Sequence, residues 1–167
     1  MTVVVSDTSS LNYLVMIGEI AILPRLYDKV LIPSEVLAEL EDSGTPSEVL
    51  QWVRSRPDWL EVRRVDIHDG GTVLNQLDEG ERAAILLAQR ESDMLLIIDD
   101  AAGRAEANRR NIPNTGTLGV LRAAAIRRFV DLPTALTRLA ATNFRAPASL
   151  LADLLADDLK RKRHGDK

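Results

Sequence analysis

The sequence predicts a single α/β domain with a largely parallel central sheet. Short apolar segments, typical of buried strands, alternate along the chain with longer segments whose apolar residues recur with helical spacing. A chain of 167 residues, 46% of them hydrophobic, is long enough for one proper core and too short for two. We therefore expect one domain over residues 1–159, followed by a basic tail over residues 160–167.

Strands are predicted where short runs of β-branched and other apolar residues are bounded by proline, glycine or acids. Residues 3–5 are three valines, residues 29–33 end on a proline, and residues 94–98 are apolar throughout. Residues 60–67 alternate apolar and charged side chains, which is typical of an edge strand. Residues 112–117 are predicted to form a short strand or a turn.

Helices are predicted between and after the strands, from start signals and from apolar stripes. Ser34 is a candidate N-cap for the second helix, and Pro46 lies in the first turn of the third. A strongly periodic helix opens at residues 78–81, after a break at Gly70-Gly71. The predicted helices are residues 11–22, 35–40, 45–54, 78–91, 101–110, 118–129, 133–141 and 147–159.

Composition and charge limit the function. Cysteine is absent, which excludes a disulfide framework and a cysteine zinc site, and no long apolar run indicates a signal peptide or a membrane span. We therefore expect a soluble, cytoplasmic protein with no membrane partner. Residues 1–100 carry 8 Lys and Arg against 19 Asp and Glu, whereas residues 101–167 carry 13 against 6. This asymmetry indicates either an acidic site facing a basic rim or ordinary solvated helix faces with a basic tail.

Acidic residues lie at the ends of two predicted strands and on two predicted helices. Asp7 ends the first strand, and Asp99-Asp100 end the later apolar strand. Glu39 and Glu81 lie on helices that can pack beside those ends. Sites in open parallel sheets form outside the carboxyl ends of the strands. Converging carboxylates repel one another unless a hard divalent cation lies between them, which indicates Mg²⁺ or Mn²⁺ and hydrolysis of a phosphodiester.

Each acid also has a purely structural interpretation. Asp78 and Glu81 have the spacing of a capping box, which is worth only about 1 kcal/mol to a helix. Asp7 could cap the helix after the first strand, and one member of the Asp99-Asp100 pair could cap the next. None of these acids alone indicates a functional site, whereas their shared position beside the strand ends does.

Five segments resemble, in order and spacing, those of the PIN-domain proteins. Their sequences are V-S-D-T-S-S-L (5–11), I-P-S-E-V-L-A-E-L (32–40), L-D-E-G-E-R-A-A-I (77–85), L-I-I-D-D (96–100) and G-T-L-G-V-L (116–121). The similarity is to a prokaryotic VapC-like subgroup with D-T-S, G-E, D-D and G-T-L-G signatures, and it covers residues 3–150. It implies a Rossmann-like three-layer α/β/α sandwich.

The resemblance also implies a metal-dependent endoribonuclease, commonly the toxin of a type II toxin–antitoxin pair, with Mg²⁺ or Mn²⁺ as cofactor. The four acids of the family map onto Asp7, Glu39, Glu81 and, most simply, Asp100. The expected metal ligands are Asp7, Glu81, Asp100 and, as an alternative or addition, Asp99. Many members of the family carry aspartate at the position of Glu81, whose side chain is longer by one methylene group.

Hydroxyl and cationic residues complete the candidate site. Hydroxyl groups near the acids are candidates for positioning water or substrate, namely Thr8, Ser9 and Thr117. Positive charge on a later helix gives candidate RNA contacts, namely Arg104, Arg109 and Arg110. Aromatic residues are only 4% of the chain, which argues against a base-stacking platform, so specificity would come from RNA shape or from a partner.

The expected partners are RNA, an antitoxin protein and a second copy of the chain. Several leucines near the C-terminus either form a groove for such a protein partner or simply cover the sheet. They are Leu150, Leu151, Leu154 and Leu155.

Other function classes compete with a nuclease. The main alternative is a PIN-fold interaction module that has lost catalysis, although all four acid positions are filled. A Mg²⁺-binding receiver domain also groups acids at strand ends, but it needs the acidic pair on its first strand and a lysine near residues 112–117, which this chain lacks. A dinucleotide-binding domain needs G-x-G-x-x-G after the first strand, and a haloacid dehalogenase needs D-x-D there, where position 9 is serine.

Overall fold

The computed structural model of the chain describes residues 2–66, 76–91 and 94–165. The strands in those ranges are β1 (Val3–Ser6), β2 (Lys29–Pro33), β3 (Leu60–Arg63), β4 (Leu95–Ile97) and β5 (Asn114–Thr115). They form one sheet in the order β3-β2-β1-β4-β5, and every pairing is parallel. The prediction of an α/β domain with a parallel sheet is confirmed.

Helices cover both faces of the sheet. In chain order they are α1 (Thr8–Met16), α2 (Ile22–Leu26), α3 (Ser34–Leu40), α4 (Ser47–Ser55), α5 (Glu79–Arg90), α6 (Ala101–Arg109), α7 (Thr117–Ile126), α8 (Leu132–Ala140) and α9 (Ala148–Gly165). Within the part of the chain that the structure describes, none of them is both long and apolar enough to cross a membrane.

Alternate residues of each strand point into separate cores, because successive side chains of a strand face opposite sides of the sheet. Val4 and Val30 pack in the core that contains residues of α1, α7 and α8. Val5 and Leu31 pack in the core that contains residues of α5 and α6. The result is a three-layer α/β/α sandwich, as the resemblance implied.

The first helix differs from its prediction at both ends. A helix was expected over residues 11–22, but α1 begins at Thr8 and ends at Met16. Gly18 has a φ of +77°, a left-handed conformation that only glycine adopts without strain and that no helix can continue through. The apolar spacing continues past this turn because α2 packs in the same core.

Other boundaries also differ from their predictions, among them the end of α7, which is Ile126 and not residue 129. Ser34 is the first residue of α3, and Pro33 occupies the N-cap position instead. The edge strand β3 ends at Arg63, while residue 67 of its predicted range and the Gly70-Gly71 break lie outside the described residues. The last helix continues to Gly165, so residues 160–165 are helical and do not form a separate tail. Pairs such as Arg161 with Asp157, one turn apart, favour this extension.

Candidate functional site

The carboxyl ends of β1 and β4 lie side by side at the point where the strand order reverses. β1 pairs with β2 on one side and with β4 on the other, so the connections from the two central strands leave in opposite directions. Asp7 follows β1 directly, and Asp99-Asp100 follow β4 after one further residue. Ligands of open α/β sheets bind in the crevice at this switch point. The structure therefore brings these acids to the expected edge of the sheet.

Asp7 is nearly inaccessible to solvent, with 2% of its surface exposed. Its Oδ1 accepts a hydrogen bond from the Ser10 amide at 3.1 Å, which caps α1, and its Oδ2 accepts one from the Asp99 amide at 3.4 Å. Burial and the nearby Asp99 carboxylate raise the pKa of Asp7 to about 7. Asp7 is thus a helix cap, and it is also an acid whose charge its protein neighbours do not compensate.

Asp99 is held by hydroxyl and amide groups from two other segments. Its Oδ1 accepts a hydrogen bond from the Thr117 amide at 2.7 Å, and its Oδ2 accepts from the Thr117 hydroxyl at 2.6 Å and the Ser10 hydroxyl at 3.1 Å. A Cβ atom on Gly116 would lie only 2.6 Å from Asp99 Oδ1, so this close approach requires glycine. The D-T-S-S and G-T-L-G segments therefore meet at Asp99.

Two of the predicted hydroxyl residues donate their hydroxyl groups to carboxylates. Thr117 is fully buried, and its hydroxyl is taken by Asp99. The Thr8 hydroxyl donates to Glu39. The Ser10 hydroxyl, which was not predicted as a site residue, donates a hydrogen bond to Asp99. Its position three residues after Asp7, on the buried side of α1, could have indicated this role.

Glu39 joins the starts of two helices. Its Oε1 accepts a hydrogen bond from the Gly80 amide at 3.1 Å, and its Oε2 accepts from Thr8. A Cβ atom on Gly80 would lie 2.6 Å from Glu39 Oε1, which explains the glycine before Glu81. Burial raises the pKa of Glu39. Glu39 thereby fixes the first turn of α5, the helix that carries Glu81, against α1.

Glu81 forms the predicted capping box and also faces another acid. Its amide donates to Asp78 Oδ1 at 2.8 Å, and its Oε2 accepts from the Asp78 amide at 3.3 Å. Burial, then the charges of Asp78 and Asp100, raise the pKa of Glu81 to about 7. Asp100 itself caps α6 by accepting from the Gly103 amide at 2.8 Å. Glu81 and Asp100 therefore each take part in capping a helix and also lie near another acid.

A cleft of about 510 Å³ opens beside these residues and is called the acid cleft below. Its lining includes three of the acids, a hydroxyl and a cation, namely Glu81, Asp99, Asp100, Ser9 and Arg104. The apolar part of the lining, which we call the apolar wall, consists of Tyr13, Phe144, Pro147, Leu150 and Leu154. Ser9 is exposed and lines this cleft.

A family model described as a PIN domain matches residues 3–158, which is nearly the whole chain. The chain belongs to the PIN-domain family. Comparison with curated proteins found no match, and comparison with solved structures found none either. PIN domains are generally nucleases that act on nucleic acid, and they typically use divalent metal ions. The parallel sheet between two helical layers agrees with this family, and the predicted fold is confirmed.

Asp7 and Asp99 of this PIN domain form one pair, while Glu81 is near both Asp78 and Asp100. Across residues 2–66, 76–91 and 94–165, no three acidic, histidine or cysteine side chains are close enough together to hold a metal ion. The four carboxylates that were expected to converge therefore do not form one cluster. The donors are all oxygen atoms, which suit Mg²⁺ or Mn²⁺, and Mg²⁺ is usually held by one or two carboxylates while it keeps several waters. The residues present fit such a hydrated cation.

The three predicted RNA-contacting arginines of the PIN domain separate into two groups. Arg104 is exposed and lines the acid cleft. Arg109 and Arg110 bind Glu106 instead, each with a guanidinium nitrogen 2.6 Å from Glu106 Oε1. Arg110 also donates to Gln89 at 2.6 Å. Hydrogen bonds and charge from Arg109 and then Arg110 lower the pKa of Glu106, which is buried, to about 2. These two arginines neutralise a carboxylate away from the cleft.

Proposed function

We propose that this PIN domain is a ribonuclease that hydrolyses phosphodiester bonds of RNA with Mg²⁺ or Mn²⁺. The observation that supports it most is the buried Asp7 beside Asp99 at the switch point of the sheet, where the pKa of Asp7 is raised to about 7. A strongly shifted acid in a cleft is typical of a functional site. A divalent cation bound there would compensate the carboxylate charge, activate water and neutralise phosphate oxygens.

Different residues of the chain have the roles of binding the cation and of positioning its ligands. Asp7, Glu81, Asp99 and Asp100 are the proposed ligands. Ser10 and Thr117 orient Asp99 through their hydrogen bonds to its carboxylate. Glu39 is a positioning residue, because it holds the Gly80 amide and with it the first turn of α5. Arg104 lies in the acid cleft, where it can bind an RNA phosphate.

We further propose that the protein is the toxin of a type II toxin–antitoxin pair, that it acts in the cytoplasm, and that it binds an antitoxin and a second copy of itself. Support comes from the resemblance to the VapC-like subgroup. An exposed leucine on α9 outside the acid cleft adds to it, since Leu155 is 37% exposed. An interaction module without catalysis is the second candidate, and the exposed Leu155 on α9 favours it in the same way.

Cleavage of single-stranded RNA in the presence of Mn²⁺ tests the proposed activity. We expect the wild type to cleave and Asp7→Asn to lose at least about 100-fold in rate, since even the residues behind a metal ligand are commonly worth 10- to 100-fold. Asp58→Asn, an exposed acid just before β3, is the matched control and should keep full activity. A wild type that cleaves nothing with either metal contradicts the proposal and favours the interaction module.

A further inference from the structure

The acidic and the apolar lining of the acid cleft differ in chemistry. The acidic residues would hold a cation and a phosphate, yet the apolar wall offers no charge to such groups. Leu150 on this wall is 43% exposed, so a ligand in the cleft can contact it. The wall therefore suits an apolar surface of the ligand whose phosphate lies at the acids.

Contacts outside the cleft fix the aromatic part of the wall. Tyr13 and Phe144 pack edge to face with their ring centres 5.1 Å apart. The Tyr13 hydroxyl donates to Asn143 at 2.9 Å, so its polar end is already bonded to protein. The two rings come from α1 and from the loop before α9, and they place a preformed apolar surface in the same cleft as Asp99 and Asp100.

Two cations line the same cleft as this surface. Arg104 extends from α6 into the cleft, and Arg145 enters it from the loop before α9. One Arg145 nitrogen donates to the Phe144 carbonyl at 3.1 Å, which holds its planar guanidinium at the wall. Arginine is well suited to phosphate oxygens, because its planar group presents several donors at once.

We propose that the apolar wall binds one nucleobase of a single-stranded RNA, while Arg104 and Arg145 contact the phosphates on either side of that nucleotide. This inference rests on the proposed function, which places the scissile phosphate at the acids. A cleft of about 510 Å³ has the size of pockets that enclose a compound as large as a nucleotide, roughly 300–1,000 Å³. A base inside a duplex is stacked on its neighbours and cannot reach a recessed wall, so the substrate is single-stranded.

The experiment measures binding without cleavage. Fluorescence anisotropy in EDTA follows a labelled single-stranded RNA of eight nucleotides and an abasic oligonucleotide of the same length. The variants are Leu150→Ser and Arg145→Ala. Leu159→Ser is the matched control, because Leu159 lies on the same helix and is 52% exposed but does not line the acid cleft. Cleavage of the same RNA with Mn²⁺ is measured in parallel.

We expect Leu150→Ser to weaken binding of the base-bearing RNA about fivefold, because a serine offers less apolar surface to the base, while Leu159→Ser binds like the wild type. On the abasic oligonucleotide, Leu150→Ser should match the wild type. Arg145→Ala should weaken both ligands, since it acts on the phosphates.

Two results overturn the proposal. One is an unchanged affinity of Leu150→Ser for the base-bearing RNA, which would leave the wall to a protein partner. The other is an equal loss on both oligonucleotides, which would show that no base is recognised. A wild type that binds RNA but does not cleave it with Mn²⁺ contradicts the proposed activity, while a difference between Leu150→Ser and Leu159→Ser still supports the base site.

Discussion

Two buried carboxylates of this PIN domain have opposite electrostatic surroundings. Glu106 on α6 and Asp7 after β1 are 5% and 2% exposed, respectively. Glu106 lies between Arg109 and Arg110, which lower its pKa to about 2. Asp7 lies beside Asp99, and burial with this second carboxylate raises its pKa to about 7.

The difference separates a carboxylate that stabilises the fold from one that we propose binds a cation. A buried charge is tolerated when a partner compensates it, as at Glu106, which joins α6 to Gln89 of α5 through Arg110. Asp7 receives amide hydrogen bonds but faces another acid. Burying Asp7 beside a second acid therefore lowers the stability of the fold. Such a loss of stability is typical of residues in functional sites.

The largest expected difference between the two residues is in the pH dependence of stability without metal. Between about pH 4 and pH 7 the unfolded chain ionises at Asp7 while the folded protein keeps the proton, so the free energy of unfolding should fall as pH rises. The slope from Asp7 is at most about 1.4 kcal/mol per pH unit. Urea unfolding in EDTA across this range should show the fall in the wild type and a weaker one in Asp7→Asn. Equal slopes in the two proteins would contradict the raised pKa.

Glu106 should show the reverse dependence and a large effect on mutation. Its contribution to stability is present above about pH 4.5 and is lost as pH falls towards 2. At pH 7 we expect Glu106→Gln to lower the free energy of unfolding by about 2–3 kcal/mol, because Arg110, whose side chain is only 13% exposed, loses its carboxylate partner.

Glu61 is the matched control for Glu106. It also pairs with two cations, Lys29 at 3.4 Å and Arg63 at 2.9 Å, but on the surface. Glu61→Gln should change the free energy of unfolding by less than about 1 kcal/mol, since exposed ion pairs contribute little. Equal losses in Glu61→Gln and Glu106→Gln, measured by urea unfolding, would show that burial of the pair does not matter.

A smaller effect is expected at Thr117, which orients the second acid of the Asp7 pair. Thr117→Val removes the hydroxyl that donates to Asp99 at 2.6 Å and keeps the shape of the side chain. Mn²⁺ affinity measured by calorimetry should fall roughly 10-fold, as is usual when a group behind a metal ligand is lost. Thr117→Ser keeps the hydroxyl and should restore the affinity. A Thr117→Val protein that binds Mn²⁺ like the wild type would exclude this role.

The sheet could be predicted from the sequence because its signals are local. β2 has the bounds that were predicted, since an apolar run ending on proline specifies a buried strand. The end of α1 could not be predicted from apolar spacing, because the spacing does not reveal the left-handed turn at Gly18. The positions of the acids at the sheet edge could also be predicted from the strand ends. Which acids lie next to one another could not be predicted, because this depends on tertiary contacts.

Side-chain partners were harder to predict than positions. Arg109 and Arg110 were expected at RNA, although they lie three and four residues after Glu106, a spacing that favours ion pairs on one helix. The low aromatic content argued against a base platform, yet the fold brings Tyr13 beside Phe144. Amino-acid composition cannot predict such a contact between distant segments of the chain.

A calorimetric Mn²⁺ titration of four proteins tests most directly whether the Asp7 pair is a metal site. The proteins are the wild type, Asp7→Asn, Glu81→Gln and Glu106→Gln. We predict that Asp7→Asn and Glu81→Gln bind at least about 10-fold more weakly than the wild type, while Glu106→Gln, whose carboxylate is already compensated, binds equally well. Equal binding by all four proteins, or none by the wild type, would contradict a metal site at the end of β1.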